Sequence, residues 1–452
     1  MSAELLQRLR TVVGDRHVLT GDLVAGSDVD WTGRWRGAPL AVVRPGSTAE
    51  VAGVVRACAD AVVPLVPQGG NTGLVGAAAP ADGEVVLSTR RLDAVGVPDP
   101  VTATLEAGAG ATLERVQGAA RAAGLEVGVD LASRGSATLG GIVATNAGGA
   151  RVLRAGTTRQ QVLGLEVVLA DGSVVSRLSG LPKDNVGYDL VQLVTGSEGT
   201  LGVVTRVLLK VTPRPPARAA ALVALDDVAA AVELLVALRA GVPGLDAVEF
   251  LTDDGLQLVL AAGRARAPFT TRAPVLVLAE AAGTDGAMLT EALAAVVTAA
   301  GGVQDAAVAT TEPDRARLWA LREAHTEVLA PLRPVKLDVA VPVPALGAFL
   351  AELPAATAGA GGGRPIVFGH LAEGNVHVNV VGVPPDLEHG VTDAVLRLVA
   401  GLGGSISAEH GIGRAKRDWL HLGRSAADVA AMRAVKAALD PAGLLSPGRV
   451  LP

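Results

Sequence analysis

The chain has 452 residues, of which 50 % are hydrophobic and 2 % aromatic, and carries a formal net charge of −6. That length supports two or three domains with sizeable cores, while the acidic balance and the lack of a basic tract argue against nucleic-acid binding. No apolar run reaches the ~18 residues a membrane span needs, and residues 2–9 are acidic and amphipathic, unlike a secretory signal, so a cytoplasmic globular protein is expected. The single cysteine, Cys58, excludes an internal disulfide, a CxxC redox pair and a Cys-ligated iron–sulfur cluster.

In chain order, residues 1–35 read as helical and then irregular. From Leu40 the pattern is strand, turn, helix, with Ser47 and Glu50 spaced as a capping box. Val63-Pro64-Leu65-Val66 leads into Pro67-Gln68-Gly69-Gly70-Asn71-Thr72-Gly73. Gly108-Ala109-Gly110-Ala111-Thr112-Leu113 follows a strand and opens a helix, but leucine at the third glycine position disfavours a Rossmann dinucleotide site. A glycine-rich tract runs from Arg134 to Gly149. Strands over 164–169 and 202–211 bracket the Asp171-Gly172 turn. The prolines at 213, 215 and 216 then mark the main domain boundary. Residues 217–365 alternate helical stretches with short strands such as 275–278, which predicts an α+β second domain. Gly361-Gly362-Gly363 reads as a loop tip, and no internal repeat is visible.

Two segments suit a phosphate-bearing ligand. Residues 68–73 hold three glycines, and 135–149 read as a second long glycine loop. Glycine lets backbone approach a pyrophosphate and turn several N–H donors toward it. Asn71, Ser136, Thr138 and Thr145 add short neutral donors.

The C-terminal third carries the chemistry. Ile366-Val367-Phe368-Gly369-His370 and Val376-His377-Val378-Asn379 read as two strands around a short Gly-Asn turn. That hairpin brings His370 and His377 together and sets His377 and Asn379 on one face, with the valines on the other. Two histidines plus a glutamate form a three-ligand set that leaves a position open on a divalent metal.

The motifs at 67–73, 144–149 (Ala-Thr-Asn-Ala-Gly-Gly), 163–172 and 196–202 (Gly-Ser-Glu-Gly-Thr-Leu-Gly) resemble the FAD-dependent 2-hydroxyacid dehydrogenases of the vanillyl-alcohol-oxidase-like flavoprotein fold. Gly369-His370, Gly374-Asn375, His377 and Glu409-His410-Gly411 are similar to that family's C-terminal motifs. The likeness runs in order along nearly the whole chain. It implies an α+β protein with an N-terminal helical segment (1–35) and a two-subdomain FAD-binding domain (36–214). A substrate or cap domain (215–405) and a segment returning to the flavin (406–452) follow. FAD would contact Pro67, Gln68, Gly69, Gly70, Asn71, Thr72 and Gly73 in the first loop. Further contacts would come from Ser136, Thr138, Gly140, Gly141, Ala144, Thr145, Asn146 and Gly149, then from Gly202 and Val203. The first loop lacks histidine and cysteine, so non-covalent FAD is expected. Three positions depart from the family pattern: Ala372-Glu373 replaces a Gly-Asp pair, Ala155 a tyrosine and Ser446 an asparagine.

Trp319–Thr326 and Val335-Lys336-Leu337-Asp338 resemble the D-2-hydroxyglutarate branch, whose equivalents of Arg322, Thr326 and Lys336 handle substrate carboxylates. An arginine fork and a lysine point charge favour a dicarboxylate. The resemblance implies a divalent metal, zinc before manganese, cobalt or iron, on His370, His377 and Glu409. It also implies His410 as general base and substrate ligand, Asn379 as a substrate hydrogen-bond partner, and flavin N5 as hydride acceptor. Other 2-hydroxy acids such as D-lactate or glycolate, and a non-catalytic flavin subunit of an oxidase complex, are the alternatives. Electrons must leave to an external acceptor, such as an electron-transfer flavoprotein or a quinone. The oligomeric state, a homodimer included, is open.

Overall fold

The computed structural model describes residues 2–181 and 183–452. The chain forms two compact units. One holds the residues up to Gly149, Gly156–Arg214 and Glu409–Pro452, and the other holds Ala150–Ala155 and Pro215–Ala408. No helix among the described residues is long and apolar enough to cross a membrane.

The first unit contains two four-stranded sheets. In one, β1 (Val18–Leu19), β2 (Ala41–Val43), β3 (Leu65–Gln68) and β4 (Val85–Ser88) lie in the order β1-β2-β4-β3. The last three run parallel and β1 antiparallel. Parallel strands are covered on both faces, which is why β2 and β4 are buried along their whole length. Helices Ser2–Val13 and Thr48–Asp60 bury Leu5, Leu9, Val51 and Val55 in the same core. Ser47 caps the second of these helices by accepting from the Glu50 amide at 3.2 Å, but the Glu50 carboxylate reaches back to the Gly46 amide at 2.7 Å, one residue beyond the expected partner.

The other sheet is antiparallel. It comprises β5 (Thr104–Gly108), β7 (Val162–Val168), β8 (Val174–Arg177) and β9 (Val203–Lys210) in the order β5-β9-β7-β8. Short β6 (Leu125–Glu126) pairs with β10 (Thr212–Pro213). The tract 135–149, expected as a loop, contains a helix over Leu139–Thr145. Gly140 serves packing there, because a Cβ at that position would lie 2.7 Å from the Ala109 Cβ.

The second unit is built on a seven-stranded sheet. Its strands are β11 (Ala217–Leu225), β12 (Leu245–Thr252), β13 (Val275–Gly283), β14 (Val303–Ala309), β15 (Val335–Ala340), β16 (Arg364–His370) and β17 (Asn375–Val381). They lie in the order β14-β11-β13-β12-β16-β17-β15, every neighbour antiparallel. On one face Leu222, Leu251, Leu276, Leu278, Ile366 and Phe368 pack against Leu256, Leu318, Leu321 and Leu329 of three helices, Asp253–Ala261, Glu312–Glu323 and His325–Leu329. Thr311 starts the helix at Glu312 by accepting from the Asp314 amide, with Pro313 in the first turn.

Residues 150–155 fall within the stretch expected in the FAD-binding domain, yet they belong to this second unit. Buried charge explains it. The register of β12 against β13 shifts between Leu245 and Ala247, and Asp246 at that irregularity accepts from Arg151 at 2.8 Å and from Arg154 and Arg218. Glu280 on β13 adds ion pairs to Arg218 (3.0 Å) and Arg315 (2.8 Å) and accepts from the Trp319 indole at 2.7 Å. Removing a buried charge leaves its partners uncompensated at about 3–5 kcal/mol. Asp246→Asn is therefore expected to lower the thermal midpoint by several degrees, measured by differential scanning calorimetry.

Candidate active site

The first glycine loop presents backbone. Arg90 donates from Nε to the Gly69 carbonyl and from a terminal nitrogen to the Gly70 carbonyl, both at 3.1 Å. Among the described residues the amides of Gly70, Asn71, Thr72 and Gly73 meet no protein acceptor. The Gln68 and Asn71 side chains, expected to touch the cofactor, are engaged elsewhere. Gln68 donates to Ser27 and Ala78 carbonyls, and Asn71 donates to those of Gly26 and Val29. Asn71 itself has φ +55. A Cβ on Gly69 would overlap Thr138 Oγ1, and one on Gly70 would overlap the Ser136 carbonyl, so the two glycine tracts touch. Thr138 Oγ1 is buried without a hydrogen-bond partner. A backbone cradle with free amides beside an orphan hydroxyl fits the pyrophosphate of FAD.

The other expected cofactor residues divide by side chain. Thr145 Oγ1 bonds back to the Gly141 carbonyl at 3.1 Å, and Asn146, in the left-handed region, accepts from the Arg159 amide at 2.9 Å. The Val203 side chain lies in the core, and a Cβ on Gly202 would meet Val167 at 2.4 Å. For Gly202 and Val203 that leaves the main chain to meet a ligand.

Glu409 and His410 sit in the same unit as this cradle. The Glu409 carboxylate accepts from the Gly149 amide at 2.8 Å and lies 3.7 Å from His410 Nε2. The turn after them is held by Glu198, a residue without an assigned role in the sequence reading. Its buried carboxylate accepts from the Ile412 and Gly413 amides, each at 2.8 Å. Burial pushes it up to about 7 against the pull of those amides.

In the second unit, His370 and His377 lie on β16 and β17, but they do not face each other. The turn is a four-residue 3-10 turn ending at Gly374 (φ +68), so His370 pairs with Asn375 and His377 with Phe368. The two imidazoles meet diagonally, centroids 5.4 Å apart and edge to face. Each has a buried carboxylate at the paired position on its outer neighbour strand, Glu249 on β12 for His370 and Asp338 on β15 for His377. His370 Nδ1 is 2.6 Å from Glu249 Oε1, and His377 Nδ1 is 3.6 Å from Asp338 Oδ1. Asp338 also accepts from Asn375 Nδ2 at 2.8 Å and from the amide of Ala408, the residue before Glu409, at 3.1 Å. At His370 the carboxylate on Nδ1 leaves Nε2 as the imidazole's ligating atom, the usual arrangement behind metal-bound histidine, whereas His377 only approaches its carboxylate. The donor set therefore suits a divalent metal. One glutamate inside the apolar run Ala247-Val248-Glu249-Phe250-Leu251 was the legible sign that β12 carries a buried charge needing partners.

The expected substrate anchors flank this stripe. Arg322 is 8 % exposed, donates from Nε to Glu249 Oε2 at 2.7 Å and stacks its guanidinium 4.5 Å over the Phe368 ring. Burial would raise the Glu249 carboxyl, yet His370 and Arg322 hold it below the ordinary range. Lys336 and Asn379 are register partners on the same face. Asn379 is 5 % exposed and makes no side-chain hydrogen bond among the described residues. Thr326 is exposed at the start of the helix after Arg322. His325 is core, tilted against Phe368 at 4.8 Å.

These features define a flavin-dependent oxidoreductase. The family profile described as FAD binding domain matches residues 39–177, and that described as FAD linked oxidases, C-terminal domain, matches 214–450. The chain is 44 % identical over 433 residues to the D-2-hydroxyglutarate dehydrogenase of Xanthomonas citri pv. viticola, covering 93 % of this chain and 91 % of that protein. It is 37 % identical to the mitochondrial D-2-hydroxyglutarate dehydrogenase of Bos taurus, covering 100 % of this chain and 84 % of the relative. The fold is similar to p-cresol methylhydroxylase (TM-score 0.79, 18 % identity, 99 % of this chain and 96 % of that one) and to 4-ethylphenol oxidase from Gulosibacter chungangensis (TM-score 0.78, 19 % identity, 99 % and 97 %). The chain belongs to the FAD-linked D-2-hydroxyglutarate dehydrogenase family.

Two measurements test the site as described. Thr138→Val removes an orphan buried hydroxyl, so the flavin-free protein should be as stable as the parent or more so. FAD should bind up to about tenfold more weakly, from the loss of one hydrogen bond; titration followed by flavin fluorescence checks both arms. Burial, then the Arg322 charge, push His325 down to about 4 from 6.5. The unfolded chain thus binds the extra proton between those values, and the contribution, full above pH 6.5, is lost as pH falls toward 4. His325→Phe should flatten the loss of thermal stability across that window.

Proposed function

We propose that the chain oxidises D-2-hydroxyglutarate to 2-oxoglutarate with assistance from a divalent metal, zinc foremost, held by His370, His377 and Glu409. The stripe of Glu249, His370, His377, Asp338, Lys336 and Asn379 on one sheet face, with Arg322 over Phe368, is the observation that carries this reading. Two cations on a mostly apolar unit suit a substrate with two carboxylates. A charge-assisted contact contributes about 1.5–3 kcal/mol, enough to prefer a dicarboxylate over lactate.

A metal on His370, His377 and Glu409 would supply Lewis acidity toward the 2-hydroxyl, and FAD on the glycine loops would supply a hydride acceptor, N5, for C2. The protein's own part is placement and proton transfer. Arg322 offers its terminal nitrogens, and with Thr326 and Lys336 it orients the carboxylates. Asn379 bonds the substrate from the face that carries His377. His410 takes the hydroxyl proton on a ring nitrogen as C2 is oxidised. The two electrons taken from the substrate would leave to an external carrier, such as an electron-transfer flavoprotein or a quinone.

Anaerobic mixing with a panel of D- and L-2-hydroxy acids tests the reading through the flavin absorbance. D-2-hydroxyglutarate should bleach the flavin fastest, and prior treatment with a chelator should stop the bleaching while the flavin stays bound. Faster bleaching by D-lactate or glycolate would move the substrate assignment. Bleaching that is indifferent to chelation would remove the metal.

A further inference from the structure

The Glu249 carboxylate touches both a histidine of the stripe, His370, and the substrate anchor Arg322. It is 1 % exposed and sits in the middle of the apolar strand β12, directly across from His370 in the register. Its two oxygens are divided, Oε1 to His370 Nδ1 at 2.6 Å and Oε2 to Arg322 Nε at 2.7 Å. We infer that Glu249 is a positioning residue that couples metal ligation to recognition of the substrate's remote carboxylate. The inference rests on the function proposed above.

Three physical consequences follow from the divided carboxylate. An imidazole that donates from Nδ1 keeps its lone pair on Nε2, so the bond fixes both tautomer and ring plane. An arginine held through Nε keeps its terminal nitrogens for a ligand, and no protein group accepts from them among the described residues. Phe368 completes the clamp by supporting the guanidinium face at 4.5 Å while its ring lies 5.2 Å from that of His377. The negative charge touches both the guanidinium and His370, and would offset the repulsion between Arg322 and a cation held by that histidine. Arg322 and the imidazole are therefore placed by the same atom pair. A disturbance at one end is felt at the other.

Glu249→Gln keeps the shape and removes the charge and one acceptor. Zinc affinity of the flavin-loaded protein, read by competition with a chromogenic chelator, is expected to weaken by about 10–100-fold. The kcat/KM preference for D-2-hydroxyglutarate over D-lactate should fall at least about tenfold in the same variant. Flavin content should not change, because the cradle lies in the other unit. Glu249→Asp, which keeps the charge on a shorter arm, serves if the glutamine variant does not fold, and should show the same paired losses in milder form. A folded variant in which zinc affinity or substrate preference stays within about twofold of the parent overturns the coupling, since a merely structural carboxylate would lower thermal stability and move neither. Elemental analysis of the parent separates the two layers: a parent that takes up no divalent metal defeats the metal assistance proposed above, whereas a metal-binding parent with an indifferent Glu249→Gln defeats only the coupling.

Discussion

Buried charge on an apolar sheet is the constraint from which the second unit follows. Asp246, Glu249, Glu280 and Asp338 are each at most 1 % exposed, in a unit whose strands are rich in alanine, valine and leucine. A carboxylate in that setting costs several kcal/mol unless it is paired and hydrogen-bonded. Each is paired, and the pairing fixes neighbours. Asp246 recruits Arg151, Arg154 and Arg218, Glu280 recruits Arg315 and Trp319, Glu249 recruits His370 and Arg322, and Asp338 recruits His377 and Asn375. The first two sets fasten structure. The latter two each place an imidazole beside a buried carboxylate.

Strand register converts those pairings into a site. Antiparallel partners share a face, so Glu249, His370, His377, Asp338, Lys336 and Asn379 project together although they come from four strands far apart in sequence. A slip of one residue in β16 or β17 would turn the histidines into the opposite layer. The valines at 376, 378 and 380, all fully buried on that opposite side, resist such a slip. Packing thus stabilises the chemistry without touching it.

Much of this was legible in the amino-acid order. Alternation around His377 gave the strand and its polar face, and the glycines of 68–73 marked a backbone cradle. What was hidden is of one kind. Glu249 lies 121 residues from His370, and nothing local says which strand will lie beside which. The facing of His370 and His377 depended on turn length: a 3-10 turn closed by Gly374 displaced the pair to a diagonal. The tract at 135–149 looked like a loop because glycine is a poor helix former, yet close packing on Ala109 outweighs propensity at Gly140. Asn71 reads as a ligand donor by type and Gln68 as a cofactor contact by resemblance, but their side-chain amides staple neighbouring loops.

Cys58 carries a practical corollary. Its thiol is completely enclosed in the core of the first unit, and burial pushes it up to about 12. Thiolate is the reactive species, so this sulfur stays silent toward alkylating dyes while the protein is folded. One cysteine introduced on the surface of either unit would thus take a fluorophore or spin label at a single address, with no need to delete the native residue first.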